Sequence, residues 1–341
     1  MKSDTEHWVW DWLRQPSEGA INNRIKMEVA RYGQHRLIYG NDNGAEMIKT
    51  PERYARMLPQ YSELSKFTEE PVYVTGDRWM MLWHTPIDGD QKTDKRPVYV
   101  VLHGRGGHWG DIGKEPGKTV DSRIRLKWLH ELSKTGAIVI APHLSGFGAS
   151  KRYGGQPSES AFLADVKGIA RYLEEHNISS DRVIVGGGSL GGAAAIMLTK
   201  VMSDQGKPPA LLAVDGSFAT LANCVGHLFK LPPQQLRAGI RRGKFESYKR
   251  LQSLPPGTST TIVLMHSQRD PIVNPADSLV NAAAAAKAGV NVKYIDAPDD
   301  YFLDGDYHSG MNPDKLIGLM QQFYTEHHAA AQSPGGASPK F

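Results

Sequence analysis

The stretch Val183-Ile184-Val185-Gly186-Gly187-Gly188-Ser189-Leu190-Gly191-Gly192-Ala193-Ala194-Ala195-Ile196 constrains this chain more than any other. A β-branched run enters a cluster of glycines around one serine, and a small-residue segment of good helix propensity leaves it. That order predicts strand, sharp turn and helix. Within it, Gly187-Gly188-Ser189-Leu190-Gly191 fits G-x-S-x-G, the spelling of a turn that holds a serine in a strained backbone conformation with its hydroxyl projecting. Residues two before and two after such a serine need minimal side chains, and glycine stands at both places. Two plainer readings fit the same letters: Gly186 to Gly191 can be forced onto the G-x-G-x-x-G of a dinucleotide-binding loop, and any tight strand-to-helix connection can be rich in glycine.

The 341 residues can carry one large α/β domain with additions or two ordinary domains. With 40% hydrophobic and 22% charged residues the composition is that of a globular protein, and a formal net charge of +4 is too small to argue for a nucleic-acid partner. The single cysteine, Cys224, excludes an internal disulfide and a multi-thiolate metal site within one chain, and a buried free thiol is its expected state. The first residues contain no apolar core of signal-peptide length, and no stretch approaches membrane-spanning length. The expectation is therefore a cytoplasmic protein without a membrane span; the oligomeric state is not legible.

Residues 1–68 read as a mainly helical N-terminal extension, with Trp8, Trp10 and Trp12 near its start and a helix signal at Thr50-Pro51-Glu52, where Thr50 can cap and Pro51 can open the first turn. The three tryptophans could dock another subunit or pack on the main domain, and packing is the commoner use of large aromatics. From Pro71 the pattern changes to strands. Val72–Val74 and Trp79–Trp83, separated by Thr75-Gly76-Asp77-Arg78, predict an antiparallel hairpin, and Pro97–Leu102 predicts a central buried strand. That strand delivers His103-Gly104-Arg105-Gly106-Gly107-His108, a glycine loop where open α/β sheets place ligands. The backbone N–H groups of Arg105 and Leu190 are the candidate oxyanion hole; the plainer reading is a glycine turn for its own sake. A helix over Arg123–Lys134, a strand over Ala137–Pro142 and a helix over Ser158–Glu175 follow. Alternation of this kind predicts right-handed crossovers and a mostly parallel twisted sheet with helices on both faces.

Taken together, His103-Gly104-x-Gly106-Gly107, Gly146-Phe147-Gly148-x-Ser150, Pro157-Ser158-Glu159 and Gly187-x-Ser189-x-Gly191-Gly192 resemble the α/β-hydrolase superfamily, and are most similar to its BEM46-like serine hydrolases. The resemblance covers about residues 70–325 and implies an α/β-hydrolase fold, placed here at 69–326, with the order nucleophile, acid, histidine. It implies Ser189 as nucleophile, Asp270 in His266-Ser267-Gln268-Arg269-Asp270-Pro271 as acid, and His308 before the last helix as base. Asp270 has a bland reading as a turn former before proline, and Asp215, at the end of Leu211–Val214, is a rival acid. His227, His266, His327 and His328 fit the base position less well.

The resemblance also places a small lid at about 217–257, whose Lys230, Arg237, Arg241, Arg242, Lys244, Lys249 and Arg250 could attract an anionic leaving group or form a solvated face. The loop before His308 carries Asp299, Asp300, Asp304 and Asp306, which read as a solvated loop, a site for a cationic group, or, more weakly, a divalent-cation site. Between the two charges, a cationic substrate group is the favoured expectation. Residues 327–341 are expected to be a disordered tail. The expected function is hydrolysis of an ester or thioester of a small-molecule acyl substrate, with no metal and no organic cofactor. The alternatives are an aminopeptidase-like serine peptidase and a non-catalytic binding protein on the same fold.

Overall fold

A computed structural model describes residues 50–105, 109, 124–153, 156–232, 234, 243–303, 305–308 and 310–332. Trp8, Trp10, Trp12, Gly106, Gly107, Asp304, Arg237, Arg241, Arg242 and the chain from 333 onward lie outside the described residues.

The expected hairpin is β1 (Thr68–Thr75) and β2 (Arg78–His84), paired antiparallel. Six further strands follow: β3 (Val98–Leu102), β4 (Ile138–His143), β5 (Val183–Gly188), β6 (Leu211–Asp215), β7 (Thr261–His266) and β8 (Val292–Asp296). They form one sheet in the order β1-β2-β4-β3-β5-β6-β7-β8, parallel from β4 to β8 and antiparallel at the β2–β4 edge. The central strands are apolar at nearly every position because both faces are covered. Val98, Val100 and Leu102 enter one core cluster and Tyr99 and Val101 the other, so successive residues of one strand serve opposite layers.

Helices supply those layers. On one face lie α3 (Glu159–Glu175), α4 (Leu190–Asp204), α6 (Ser247–Gln252) and α7 (Pro275–Lys287), contributing residues such as Phe162, Leu198, Leu251 and Ala285. On the other lie α1 (Pro51–Met57), α2 (Ile124–Lys134) and α8 (Pro313–Gln332), contributing Tyr54, Leu129 and Met320. The last short helix, α5 (Leu221–Phe229), falls in the segment expected to form the lid. Caps set several boundaries: the Ser158 hydroxyl accepts the Ala161 N–H at 3.0 Å, and Asn274 with Pro275 starts α7.

At both ends of the described residues the chain packs onto the sheet. In the segment after Thr50, Tyr54 is 1% and Leu64 0% exposed, and the Tyr54 ring lies 5.8 Å from that of Trp83. At the other end α8 continues past 326 to Gln332. Ala329-Ala330-Ala331 favours that continuation, and His327 Nδ1 lies 3.2 Å from Thr261 Oγ1. No helix of the described residues is long and apolar enough to cross a membrane.

Candidate active site

The serine turn forms as its letters require. Ser189 joins β5 to α4 at φ 53° and ψ −122°, a left-handed, strained conformation of the kind that costs about 1–3 kcal/mol. Close packing holds it there. A Cβ on Gly187 would stand 2.4 Å from the Gly191 carbonyl oxygen, and one on Gly191 would stand 2.1 Å from that of Leu102, so neither position admits a side chain. The Ser189 N–H donates to the Asp215 carbonyl at 2.9 Å, and Ser217 Oγ donates to the Ser189 carbonyl at 2.7 Å, tying the turn to β6 and the chain beyond it.

His308, on the loop between β8 and α8, reaches this serine: its Nε2 lies 3.1 Å from Ser189 Oγ and its Nδ1 2.8 Å from Asp270 Oδ2. Asp270 follows β7, where Oδ1 accepts the N–H groups of Ile272 at 2.8 Å and Val273 at 2.9 Å. Its Oδ2 is also 3.1 Å from Nε2 of His266, whose Nδ1 is 2.7 Å from Ser278 Oγ. Burial would raise the Asp270 pKa, but the hydrogen bonds from His266 and His308, the His308 charge and the Val273 amide prevail and hold the carboxyl well below the usual range. For His308, burial opposes protonation, yet the hydrogen bond and charge of Asp270, with the charges of Asp215 and Asp306, lift its pKa above the ordinary histidine value. The network assigns the proton to His308 Nδ1 and leaves Nε2 to accept from the serine hydroxyl.

The rival acid stands close by without meeting the imidazole. Asp215 is 7% exposed at the end of β6, and no hydrogen bond joins it to His308 among the described residues. Burial pushes its pKa up; the charges of His266 and His308 oppose this, those of Asp270 and Asp306 add to it, and the result is about 7. His266, which fits the base position poorly, lies fully buried behind Asp270, a place signalled in the sequence by its position four residues before the aspartate across a tight turn.

Above these groups, at the carboxyl edge of the sheet, lies a cavity of about 500 Å³, within the range of small-molecule sites. Trp109, Trp128, Phe218, Leu221, Val225, Leu228 and Met320 form apolar walls, and the polar lining includes Ser189, His103, Asp215, Asp306, His308, Arg105 and Arg125. Thus α5 presents an apolar side to the cavity. The described basic residues of the same segment do not line it: Arg250 pairs with Glu159 at 2.5 Å, and Lys249 pairs with Glu246 at 2.7 Å. Two aspartates of the acidic loop are likewise engaged, Asp299 with Arg269 at 2.7 Å and Asp300 with Lys315 at 3.3 Å. Asp306 accepts the His308 N–H at 3.0 Å and lines the cavity. Cys224 is a free thiol on the cavity wall, pushed up to about 12 chiefly by burial.

Gly104 lies against the serine turn, where an added Cβ would be 3.4 Å from the Gly188 oxygen and 3.7 Å from Ser189 Cβ. The next residue is Arg105. Leu190 opens α4, where an N–H has no acceptor within the helix. Among the described residues no group of three His, Cys, Asp or Glu side chains could hold a metal ion.

Residues 99–336 match the alpha/beta hydrolase family. The multifunctional-autoprocessing repeats-in-toxin of Vibrio cholerae is 25% identical over 211 residues, 61% of this chain and 4% of the toxin. Protein bem46 of Schizosaccharomyces pombe is 25% identical over 204 residues, 58% of this chain and 57% of that protein. This chain thus corresponds to a small part of one relative and a little over half of the other. Among solved structures, an alpha-beta hydrolase from Vibrio vulnificus superposes with a TM-score of 0.59 at 19% identity, covering 86% of this chain and 92% of that one. With the family match spanning well over half of the chain and taking in β3 to α8, this protein belongs to the alpha/beta hydrolase family.

Proposed function

We propose that this chain is a serine hydrolase that cleaves a carboxylic ester or thioester of a small molecule through an acyl-enzyme on Ser189. The observation that carries the reading is the relay in which Ser189 Oγ is 3.1 Å from His308 Nε2 and His308 Nδ1 is 2.8 Å from Asp270. Free serine is a poor nucleophile, so His308 takes the hydroxyl proton as the Oγ–carbon bond forms. Asp270 remains ionised, fixes the imidazole tautomer and stabilises the imidazolium. The N–H groups of Leu190 and Arg105 receive the oxyanion. His308 then protonates the departing oxygen or sulfur as its bond to carbon breaks, and water repeats the sequence to release the acid. Every proton moves between side chains, substrate and water, so the cycle asks for no cofactor.

An ester or thioester is favoured over a peptide because its leaving group departs more easily than an amine, and the apolar walls contributed by α5 and α8 suit an acyl chain. Hydrolysis of short p-nitrophenyl esters and of the matching thioesters tests the reading. Ser189→Ala is expected to lower turnover on the order of a million-fold while the protein stays folded. A fluorophosphonate probe is expected to label Ser189 and nothing else. Near-wild-type turnover in the variant would overturn the mechanism, and a wild-type chain that leaves the probe unreacted would instead be a binding protein on this fold.

A further inference from the structure

The proposed chemistry leaves one buried carboxyl of the cavity without a task. Asp215 closes β6, and its main-chain carbonyl already holds the Ser189 N–H at 2.9 Å. Its side chain lines the cavity, is 7% exposed, and receives no N–H or O–H donor among the described residues. Other buried aspartates are met differently. Asp165 accepts Ser145 N–H at 2.7 Å and Ser145 Oγ at 2.6 Å, Asp277 accepts Asn223 Nδ2 at 2.7 Å on Oδ1 only, and Asp270 has two amides and two imidazoles. A buried acceptor left unmet is costly, more so when it is charged, and a ligand that brings a donor removes that cost.

The lining also carries charge of both signs. Arg105 and Arg125, on the segments that follow β3, and Asp215 and Asp306, from β6 and the loop after β8, all line the cavity. A cation is repelled by the two arginines and attracted by the two aspartates, which favours a seat beside the carboxylates.

We infer that Asp215 anchors a protonated amine of the substrate, seated on the β6 side of the cavity while the scissile carbonyl lies at Ser189. The place of the carbonyl rests on the proposed acyl chemistry; the amine site itself does not. The groups that face Asp215 fit this use: His266, His308, Asp270 and Asp306 all act on its charge, and with a pKa pushed to about 7 it is ionised at mildly alkaline pH and takes up a proton below that. A bound ammonium group favours the ionised form.

Calorimetric titration of the wild-type chain with hexylamine and with hexanol, at about pH 8 where an alkylamine keeps its proton, compares two ligands of equal chain length. Hexylamine is expected to bind about tenfold to a hundredfold more tightly, as for a hydrogen bond to a charged group, and Asp215→Asn is expected to erase that margin. Asp215→Ser serves if the asparagine variant does not fold. Equal affinities in the wild type overturn the inference, as does a margin that survives in either variant. In a parallel assay, the ratio of kcat/KM for amine-bearing over neutral esters falls in the variant through KM. Failure of the wild type to hydrolyse any ester would sink the acyl chemistry and leave the two titrations to decide the amine site, so the two failures are told apart.

Discussion

Asp215 at the end of β6 and Asp270 just beyond β7 are both more than nine-tenths buried, at 7% and 4% exposure, and both act on His308. Their carboxyl groups nevertheless titrate in opposite directions. Around Asp270 two backbone amides and two imidazoles converge, so burial is outweighed and the group stays ionised. Around Asp215 no donor converges and burial prevails, raising it to about 7. Depth alone therefore does not make a triad acid; the donors around the carboxylate decide whether it can hold an imidazolium at neutral pH.

The largest expected effect tests that contrast directly. Asp270→Asn should lower kcat for a neutral ester on the order of ten-thousand-fold, by analogy with the corresponding change in a serine protease, while Asp215→Asn should cost far less. The reverse ranking would move the acid to β6. A smaller effect is expected at the residue behind the acid. His266→Phe removes one charge-assisted donor from Asp270 and should reduce kcat about tenfold with KM little changed, and His266→Gln, which retains an N–H donor, should recover part of the loss. Unchanged kcat in His266→Phe would mean that the two amides and His308 hold the acid by themselves.

The finest test uses pH. In the proposed mechanism His308 must be neutral to accept the serine proton, and its pKa is raised, so the acid limb of kcat/KM should lie above about 6.5, the ordinary histidine value. Asp215 contributes to that rise through its negative charge. Asp215→Asn should therefore move the limb to lower pH, by less than about one unit. A limb that stays in place would show that Asp215 is protonated, and so without influence, over the working range.

What could be read from the letters alone was what neighbours in sequence determine. The serine turn, the buried run at Val98–Leu102 and the capped start of α3 at Ser158 each carry their cause within a few residues. The positions of Ser189, Asp270 and His308 follow from the resemblance to the α/β-hydrolase superfamily and its order of nucleophile, acid and histidine, and the structure brings those three side chains together. Contacts between distant segments were beyond that reach. Arg269 and Asp299, thirty residues apart, neutralise one another, and Lys315 does the same for Asp300, so half of an apparently acidic loop is spoken for. In the lid segment the basic residues are conspicuous in the letters, whereas the side chains of α5 that line the cavity are Leu221, Cys224, Val225 and Leu228. Charge runs reveal composition; which side faces the cavity depends on the helix's rotation against its neighbours. The membership of Tyr54 and Leu64 in the core was hidden for a similar reason, because their partners Trp83 and the α2 leucines lie far along the chain.

The clearances around Ser189 bear on how this chain could drift through sequence space. At Gly187, Gly191 and Gly192 an added methyl would meet atoms at 2.4, 2.1 and 2.6 Å, so these positions are closed to every other residue unless the first turn of α4, the end of β3 or the chain at β6 and Ser217, respectively, is rebuilt at the same time. At Gly188 the nearest atom would be the Asp215 carbonyl oxygen at 3.5 Å, an ordinary contact. Neutral substitution can therefore enter the turn by that one glycine, with alanine the smallest step. The spelling G-x-S-x-G, with its free second letter, is in this molecule a record of where steric room exists.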